Sequence, residues 1–339
     1  MAGLNSRKWV GGWRRIRSAL FGCGTALLLV SLVAAGQEAP LPQGPTLKVA
    51  VNRVSVGVTV TDSRGRFVSG LSRSDFRIFD DEIEQPIADF LPIEEPAQFL
   101  LLIESGPSVL LFAKNHILAA DALVTRVGAD DRVAIATYSR SPNLVLDFTA
   151  DKSAARSALR SIDFHTGFVE LNLFSSISSA INELAPLPGK KAIVLLSTGI
   201  DTSPAIQWEP LLEKLGTADV RIISVSLSGE LRRPNKNRKL TADQKMARAE
   251  LKKVFAEGDA SLREVSSATG GRVFFARNAK EFDKAYAEIA ELLRHEYSLA
   301  FAPTVFDGKV HRLRVDLKNK GLKVDHRPAY VAAAGEQQN

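Results

Sequence analysis

The sequence predicts an α/β fold, a doubly wound and mostly parallel sheet with a small β-sandwich-like module attached. Three observations carry this expectation. Apolar strand-like runs at residues 99–103, 132–138, 192–196 and 220–227 alternate with stretches of helical period, the pattern of a parallel sheet covered on both faces. Before them, Val49, Val51, Val54, Val56, Val58 and Val60 fall near alternate positions, with a one-residue slip between Val51 and Val54. After His295 the alternating β pattern returns.

The chain opens on Arg7, Lys8, Arg14, Arg15 and Arg17 with no acidic residue, followed by an apolar run over 19–35. A basic start, an apolar middle and a small-residue exit make a signal peptide. Val33 and Ala35 suit the −3 and −1 positions, which places cleavage after Ala35 and predicts an exported protein, periplasmic or extracellular. The alternative is a retained anchor, since about 17 apolar residues is the lower limit for crossing a bilayer. Membrane association is expected only if the segment stays uncleaved. Cys23 lies too early in the run for lipoprotein processing.

Removing residues 1–35 changes the charge reading. The whole chain is +6 from 44 basic and 38 acidic residues, and five of the basic ones leave with the leader, so the rest stands at 39 against 38. The basic balance therefore belongs to targeting, and no nucleic-acid partner is expected. Cys23 is the one cysteine, so the remaining chain has neither disulfide nor cysteine-held metal and depends on its core.

Residues 36–45 read as a linker. Residues 46–95 form the first part of the β module, with strands at 76–79 and 87–90 and a turn at Asp62-Ser63-Arg64-Gly65. Residues 96–295 form the parallel-sheet domain, with a further strand at 144–148 and helices at 109–127, 152–161, 173–184, 210–215, 261–269 and 279–295. A long insertion, 229–257, rich in Lys, Arg and Asn at first and helix-forming later, interrupts it. Residues 296–332 return to β structure with strands at 297–301, 310–317 and 322–324, and 333–339 are a tail.

Catalytic motifs are missing. The five histidines, His116, His165, His295, His311 and His326, show no local metal-ligand spacing, and each is expected at a surface or helix cap. There is no P-loop, no Gly-x-Gly-x-x-Gly and no Gly-x-Ser-x-Gly elbow. Enzymatic activity is not expected.

Several segments resemble the von Willebrand factor type A family. Leu100-Leu101-Leu102-Ile103-Glu104-Ser105-Gly106-Pro107-Ser108 is similar to its strand ending in Asp-x-Ser-x-Ser. Ile193 to Thr202 resembles its later strand, which usually ends in Asp-Gly, and 216–227 and 262–275 resemble the segments that follow. Gly70-Leu71, Asp75-Phe76, Asp80-Asp81, Tyr297 to Phe301 and Asp307-Gly308 resemble the secreted group of this family first described in acidobacteria. The resemblance covers residues 46–332 and implies a Rossmann-like fold, a binding or adhesion role and a metal ion-dependent adhesion site for Mg²⁺ or a similar cation. Residue by residue the site is degenerate. Glu104 stands for the first Asp, Gly106 for the first Ser, and Thr198 for the late Asp; the Thr position falls near Leu171, with Thr166 earlier, and Ser108 alone matches. Mg²⁺ needs hard oxygen ligands in tight octahedral geometry. No metal and no cofactor is therefore expected; an ion, if held, would sit on Glu104, Ser108 and Asp201.

The expected ligand-binding face is thus Glu104, Ser105, Gly106, Ser108, Thr198 and Asp201, at the carboxyl end of the sheet. Arg232, Arg233, Lys236, Arg238 and Lys239 add candidate contacts to an anionic partner. The function read from these residues is protein–protein or cell-envelope recognition. The alternatives are a scaffold without a ligand at this face and an unrecognised hydrolase.

Overall fold

The computed structural model describes residues 7–8 and 53–332, apart from 94, 111–112, 165–166, 168, 203–205 and 232–240. The leader cleavage site, the linker, Val49 and Val51, the tail and the five basic residues Arg232, Arg233, Lys236, Arg238 and Lys239 lie outside the described residues. Among those described, no helix is long and apolar enough to cross a membrane.

The elements are β1 (Arg7–Lys8), β2 (Val54–Thr61), β3 (Phe76–Asp80), β4 (Ile83–Gln85), β5 (Asp89–Leu91), β6 (Ala97–Glu104), α1 (Pro107–Leu110), α2 (Ala113–Arg126), β7 (Arg132–Tyr138) and β8 (Pro142–Thr149). They continue with α3 (Lys152–Arg160), α4 (Leu173–Leu184), β9 (Lys190–Ser197), α5 (Trp208–Thr217), β10 (Arg221–Ser226), α6 (Ser228–Leu231) and α7 (Ala242–Ala268). The chain closes through β11 (Val273–Phe275), α8 (Ala279–Arg294), β12 (Glu296–Phe301), β13 (Val310–Leu317), β14 (Lys323–Asp325) and β15 (Ala329–Val331).

The main sheet has the order β1-β8-β7-β6-β9-β10-β11. It is parallel from β7 to β11, and β8 runs antiparallel to β7. Every residue of β6 is buried, because both its faces are covered. Phe99, Leu101 and Ile103 pack into one apolar cluster with residues of α2, α3 and α8. Leu100 and Leu102 pack into the other, with residues of α4, α5 and α7. This is the doubly wound sheet that the continuous apolar runs predicted. Winding goes from β6 to β7 and β8 on one side and from β9 to β10 and β11 on the other, so the switch point lies between β6 and β9.

Two antiparallel sheets draw strands from both ends of the described chain, in the orders β14-β2-β12-β5 and β15-β13-β3-β4. Val54, Val56, Val58 and Val60 share one face of β2 and meet Phe76, Ile78, Tyr297, Leu299, Phe301 and Tyr330 in a third apolar cluster.

The structure departs from the sequence reading in three places. The strand expected at 87–90 is β5, at Asp89–Leu91, and a strand not expected from the sequence, β4 at Ile83–Gln85, precedes it in the other antiparallel sheet. Asp81 and Glu82, at φ 45° and 68°, make a two-residue hairpin turn that periodicity does not reveal, and Pro86 stops β4 because it has no N–H to donate. The helix expected at 261–269 begins at Ala242, started by a capping box between Thr241 and Gln244. The later, helix-forming part of the insertion and the helix expected at 261–269 are thus one continuous helix. Finally, His116 is only 1 % exposed and His311 7 %, so two histidines expected at the surface are buried. His116 packs edge-on to Phe282, and burial lowers its pKa to about 4.

A buried polar joint ties the amino ends of β9 and β10 to the antiparallel sheets. Arg221 Nη1 donates to Glu296 Oε2 and to Thr59 Oγ1 at 3.1 Å. Lys190 Nζ donates to the carbonyls of Ile93 and Glu296 at 2.8 and 3.3 Å, and Arg327 donates to those of Gly216 and Ser55 at 3.0 and 2.6 Å. Removing one member of a buried ion pair costs about 3–5 kcal/mol, whereas replacing both by apolar groups of similar size is often neutral. Arg221→Ala is expected to lower stability by that amount in urea unfolding, and the double variant Arg221→Met/Glu296→Leu to recover most of it. Equal losses in both variants would show that the pair contributes no more than its packing.

Candidate functional site

The carboxyl ends of β6 and β9 meet at the switch point, and the groups they bring together are Glu104, Tyr138, Ser197 and Thr198. Glu104 closes β6 and is fully buried, as are Ser197 and Thr198 at the end of β9. Glu104 Oε2 accepts from Thr198 N at 2.7 Å, Thr198 Oγ1 at 2.8 Å, Tyr138 OH at 3.2 Å and Ser197 Oγ at 3.3 Å. Tyr138 OH and Ser197 Oγ are 2.7 Å apart, and Gly199 N donates to Ser197 Oγ at 2.8 Å. Burial drives the Glu104 carboxyl above its ordinary pKa, against the four hydrogen bonds that favour its anion.

Sequence chemistry explains this convergence. Glutamate is one methylene longer than aspartate, and its carboxylate reaches the amide and hydroxyl of Thr198 on the neighbouring strand. Gly199, at φ 78°, lets the chain turn directly against α7: a Cβ there would lie 2.1 Å from the carbonyl oxygen of Gly258. The two backbones meet at a distance that only glycine allows.

The remaining loops are bound to one another. Ser105 N and Oγ donate to the Tyr138 carbonyl at 2.8 and 3.0 Å. Asp201 Oδ2 accepts from Phe174 N at 2.9 Å, which places its charge on the N-terminal turn of α4. Thr202 Oγ1 accepts from Leu171 N at 2.8 Å, and Thr202 N donates to the Leu171 carbonyl at 2.9 Å. Gly106 is buried beneath Leu171, whose Cδ2 would be 3.0 Å from a Cβ at that position. Ser108 lies in α1. Thr166 lies outside the described residues.

These residues do not fit Mg²⁺. Glu104 brings one carboxylate, with one oxygen committed to four protein donors and the other, Oε1, buried without a hydrogen bond. An octahedral ion needs several oxygen ligands and keeps waters. Leu171 supplies apolar surface over Gly106 where further ligands would stand, and Asp201 is directed at α4.

Tyr138, Ser197 and Asp259 were not legible as site residues from the sequence. Asp259 on α7 is buried and accepts from Ser226 Oγ and Ser228 Oγ, both at 2.7 Å, below the carboxyl end of β10. The available signal was small: hydroxyl residues at strand ends and an acid in an otherwise apolar helical stripe.

The outer part of this end is charged. Arg140 pairs with Glu170 at 3.3 Å, both largely exposed. From Gly258 toward its N-terminus, α7 runs on past the strand ends. Residues 241–253 are all exposed, including Lys245, Arg248, Lys252 and Lys253 against Asp243 and Glu250. Met246 and Leu251 are 65 and 55 % exposed on the same segment.

No family model and no curated protein matches the chain. Among solved structures, it is similar to von Willebrand factor type A from Catenulispora acidiphila at 10% identity and TM-score 0.42, over 85% of this chain and 75% of that one. It is also similar to the conserved hypothetical protein BatB from Bacteroides thetaiotaomicron at 13% identity and TM-score 0.40, over 58% of this chain and 98% of that one. A third similarity is to proximal thread matrix protein 1 from the mussel byssus, at 12% identity and TM-score 0.44, over 67% of this chain and 51% of that one. Overlap of this extent fixes neither family nor function for this chain.

Proposed function

We propose that the chain is an exported A-type binding module that recognises a protein or cell-envelope partner through the carboxyl end of its sheet, without a metal ion. In this reading residues 1–35 are removed on export, β1 with them, and β8 becomes the edge of the main sheet. Residues 46–95 and 296–332 make one β module, and 96–295 carry the binding face with the insertion 229–257. Glu104, Ser105, Gly106, Ser108, Thr198 and Asp201 shape the floor of that face. Arg232, Arg233, Lys236, Arg238 and Lys239 contact the partner where it is anionic.

The observation that supports it most is the exposed first half of α7. Residues 242–253, all exposed, span about 18 Å of helix at 1.5 Å per residue. A helix of that reach, basic with two exposed apolar side chains, suits an acidic partner surface with an apolar centre. Reversing Lys245, Arg248 and Lys252 to Glu is expected to weaken retention of the bound envelope component by at least about tenfold, with most of the loss in the on-rate and a reduced salt dependence. The melting midpoint should not move, because these side chains touch no core. Unchanged retention would place the binding face elsewhere.

A further inference from the structure

A second group of ionisable side chains lies in the antiparallel sheets. Asp80 ends β3, Asp81 begins the turn after it, and His311 stands on the neighbouring strand β13. Their ligand atoms all lie within 4.8 Å of one another. His311 Nδ1 is 3.3 Å from Asp80 Oδ1 and 3.0 Å from Asp81 Oδ2, while Nε2 is 3.2 Å from Asp307 Oδ1. We propose that Asp80, Asp81 and His311 form a binding site for a divalent cation of the zinc type.

Asp307 faces the far nitrogen of the imidazole, Nε2. A carboxylate at Nε2 draws the ring proton there, as in carboxylate–histidine–metal triads. Nδ1 then presents its lone pair toward two carboxylate oxygens. Nδ1 and the two carboxylate oxygens converge on one point, where a bound cation meets all three at once. Asp80 is 4 % exposed, and its Oδ1 is fully buried with no hydrogen bond, directed at this meeting point. A buried anionic oxygen left in that position carries a large desolvation cost unless a cation meets it.

Geometry and charge agree with a small divalent ion. Ligands at about 2.0 Å around a tetrahedral centre are separated by about 3.3 Å. The two edges from Nδ1 are 3.3 and 3.0 Å, and the edge between the carboxylates lies within 4.8 Å and closes as Asp81, half exposed, turns onto the ion. Two carboxylates and a neutral imidazole balance a 2+ charge, and imidazole selects zinc-like ions over Mg²⁺. Each ligand is held by a further group. Tyr330 OH donates to Asp80 Oδ2 at 2.9 Å, Arg312 N donates to Asp81 Oδ1 at 2.9 Å, and Asp307 holds the ring. Asp81, with its side chain 51 % exposed, gives the ion access from solvent and leaves a fourth position for water. The ion would join β3, its turn and β13, with β15 attached through Tyr330. This departs from the sequence expectation of no metal, and it is independent of the carboxyl-end site.

The test uses untagged protein freed of metal by a chelator. Titration with Zn²⁺ at pH 7.5 should give one equivalent bound and a rise in melting midpoint of several degrees. Co²⁺ in its place should give visible absorption of four-coordinate intensity. Asp81→Asn leaves the turn in place and should abolish both responses while keeping the metal-free midpoint. His311→Gln should also abolish them. No zinc binding by the folded wild type overturns the proposal, as does binding that survives Asp81→Asn. A ring protonated on both nitrogens in the presence of excess Zn²⁺, seen by NMR, would identify a proton as the occupant and equally overturn it.

Discussion

Glu104→Ala is expected to destabilise the protein by about 2–4 kcal/mol, while Glu104→Gln leaves it as stable as wild type or more so at neutral pH. Alanine removes the acceptor that serves Thr198 N, Thr198 Oγ1, Tyr138 OH and Ser197 Oγ, and leaves those donors buried with a cavity beside them. Glutamine keeps an acceptor oxygen at the same reach and removes the charge. The pH dependence gives a second readout. The folded-state pKa of Glu104 is raised, so between the unfolded value and the folded value the native state holds a proton that the unfolded chain has lost. Stability from this group is therefore present below the unfolded pKa and declines as pH rises through the folded one. Urea midpoints of wild type and Glu104→Gln should converge at acidic pH and separate, in favour of the variant, as pH rises. A Gln variant as weak as the Ala variant would mean that the negative charge itself is required.

The second large effect concerns chain ends. A truncation after His295 is expected to leave residues 54–91 unfolded and protease-sensitive, while 96–295 keep their fold. β2 lies between β14 and β12, and β3 between β13 and β4, so the truncation removes both neighbours of β2 and one of β3. Val56, Val58 and Val60, all fully buried, would lose Leu299 and Phe301, at about 1.5–3 kcal/mol for each large side chain exposed. The few strands that remain present open edges and no second sheet. Lys190 and Arg221, released from the joint, would find water. Limited proteolysis with mass mapping checks this, and protection of residues 54–91 in the truncated chain would contradict it.

The parallel sheet was legible because each of its inner strands is apolar on both faces, as in β6 and β9. A run such as Phe99 to Ile103 has few other places to go. Glu104 was legible as the last residue of such a strand, but its partners were not. Tyr138 ends β7, 34 residues away, and Ser197 and Thr198 end β9, so only the register of β6 with its two neighbours brings them together. The hairpin at Asp81-Glu82 escaped because neither residue is the glycine that usually announces positive φ. The continuity of α7 from the insertion into 261–269 was not legible because residues 241–253 are exposed throughout, which removes the apolar stripe that would join the two. The burial of His311 is not legible in the sequence, because a buried imidazole is recognisable only from the carboxylates that face it, and Asp80 and Asp81 are more than 220 residues earlier in the chain.

The central claim is that hydrogen bonds from Thr198, Tyr138 and Ser197 do at the switch point what a metal ion would otherwise do. Thermal melting of protein already freed of bound metal, with and without millimolar Mg²⁺, tests it most directly. A ligand that binds only the folded state adds about 2.7 kcal/mol at a hundredfold excess over its dissociation constant, which a melt resolves easily. The midpoint should be the same in both conditions. A rise with Mg²⁺ that Glu104→Gln removes would contradict the account and restore an ion to the carboxyl end of the sheet.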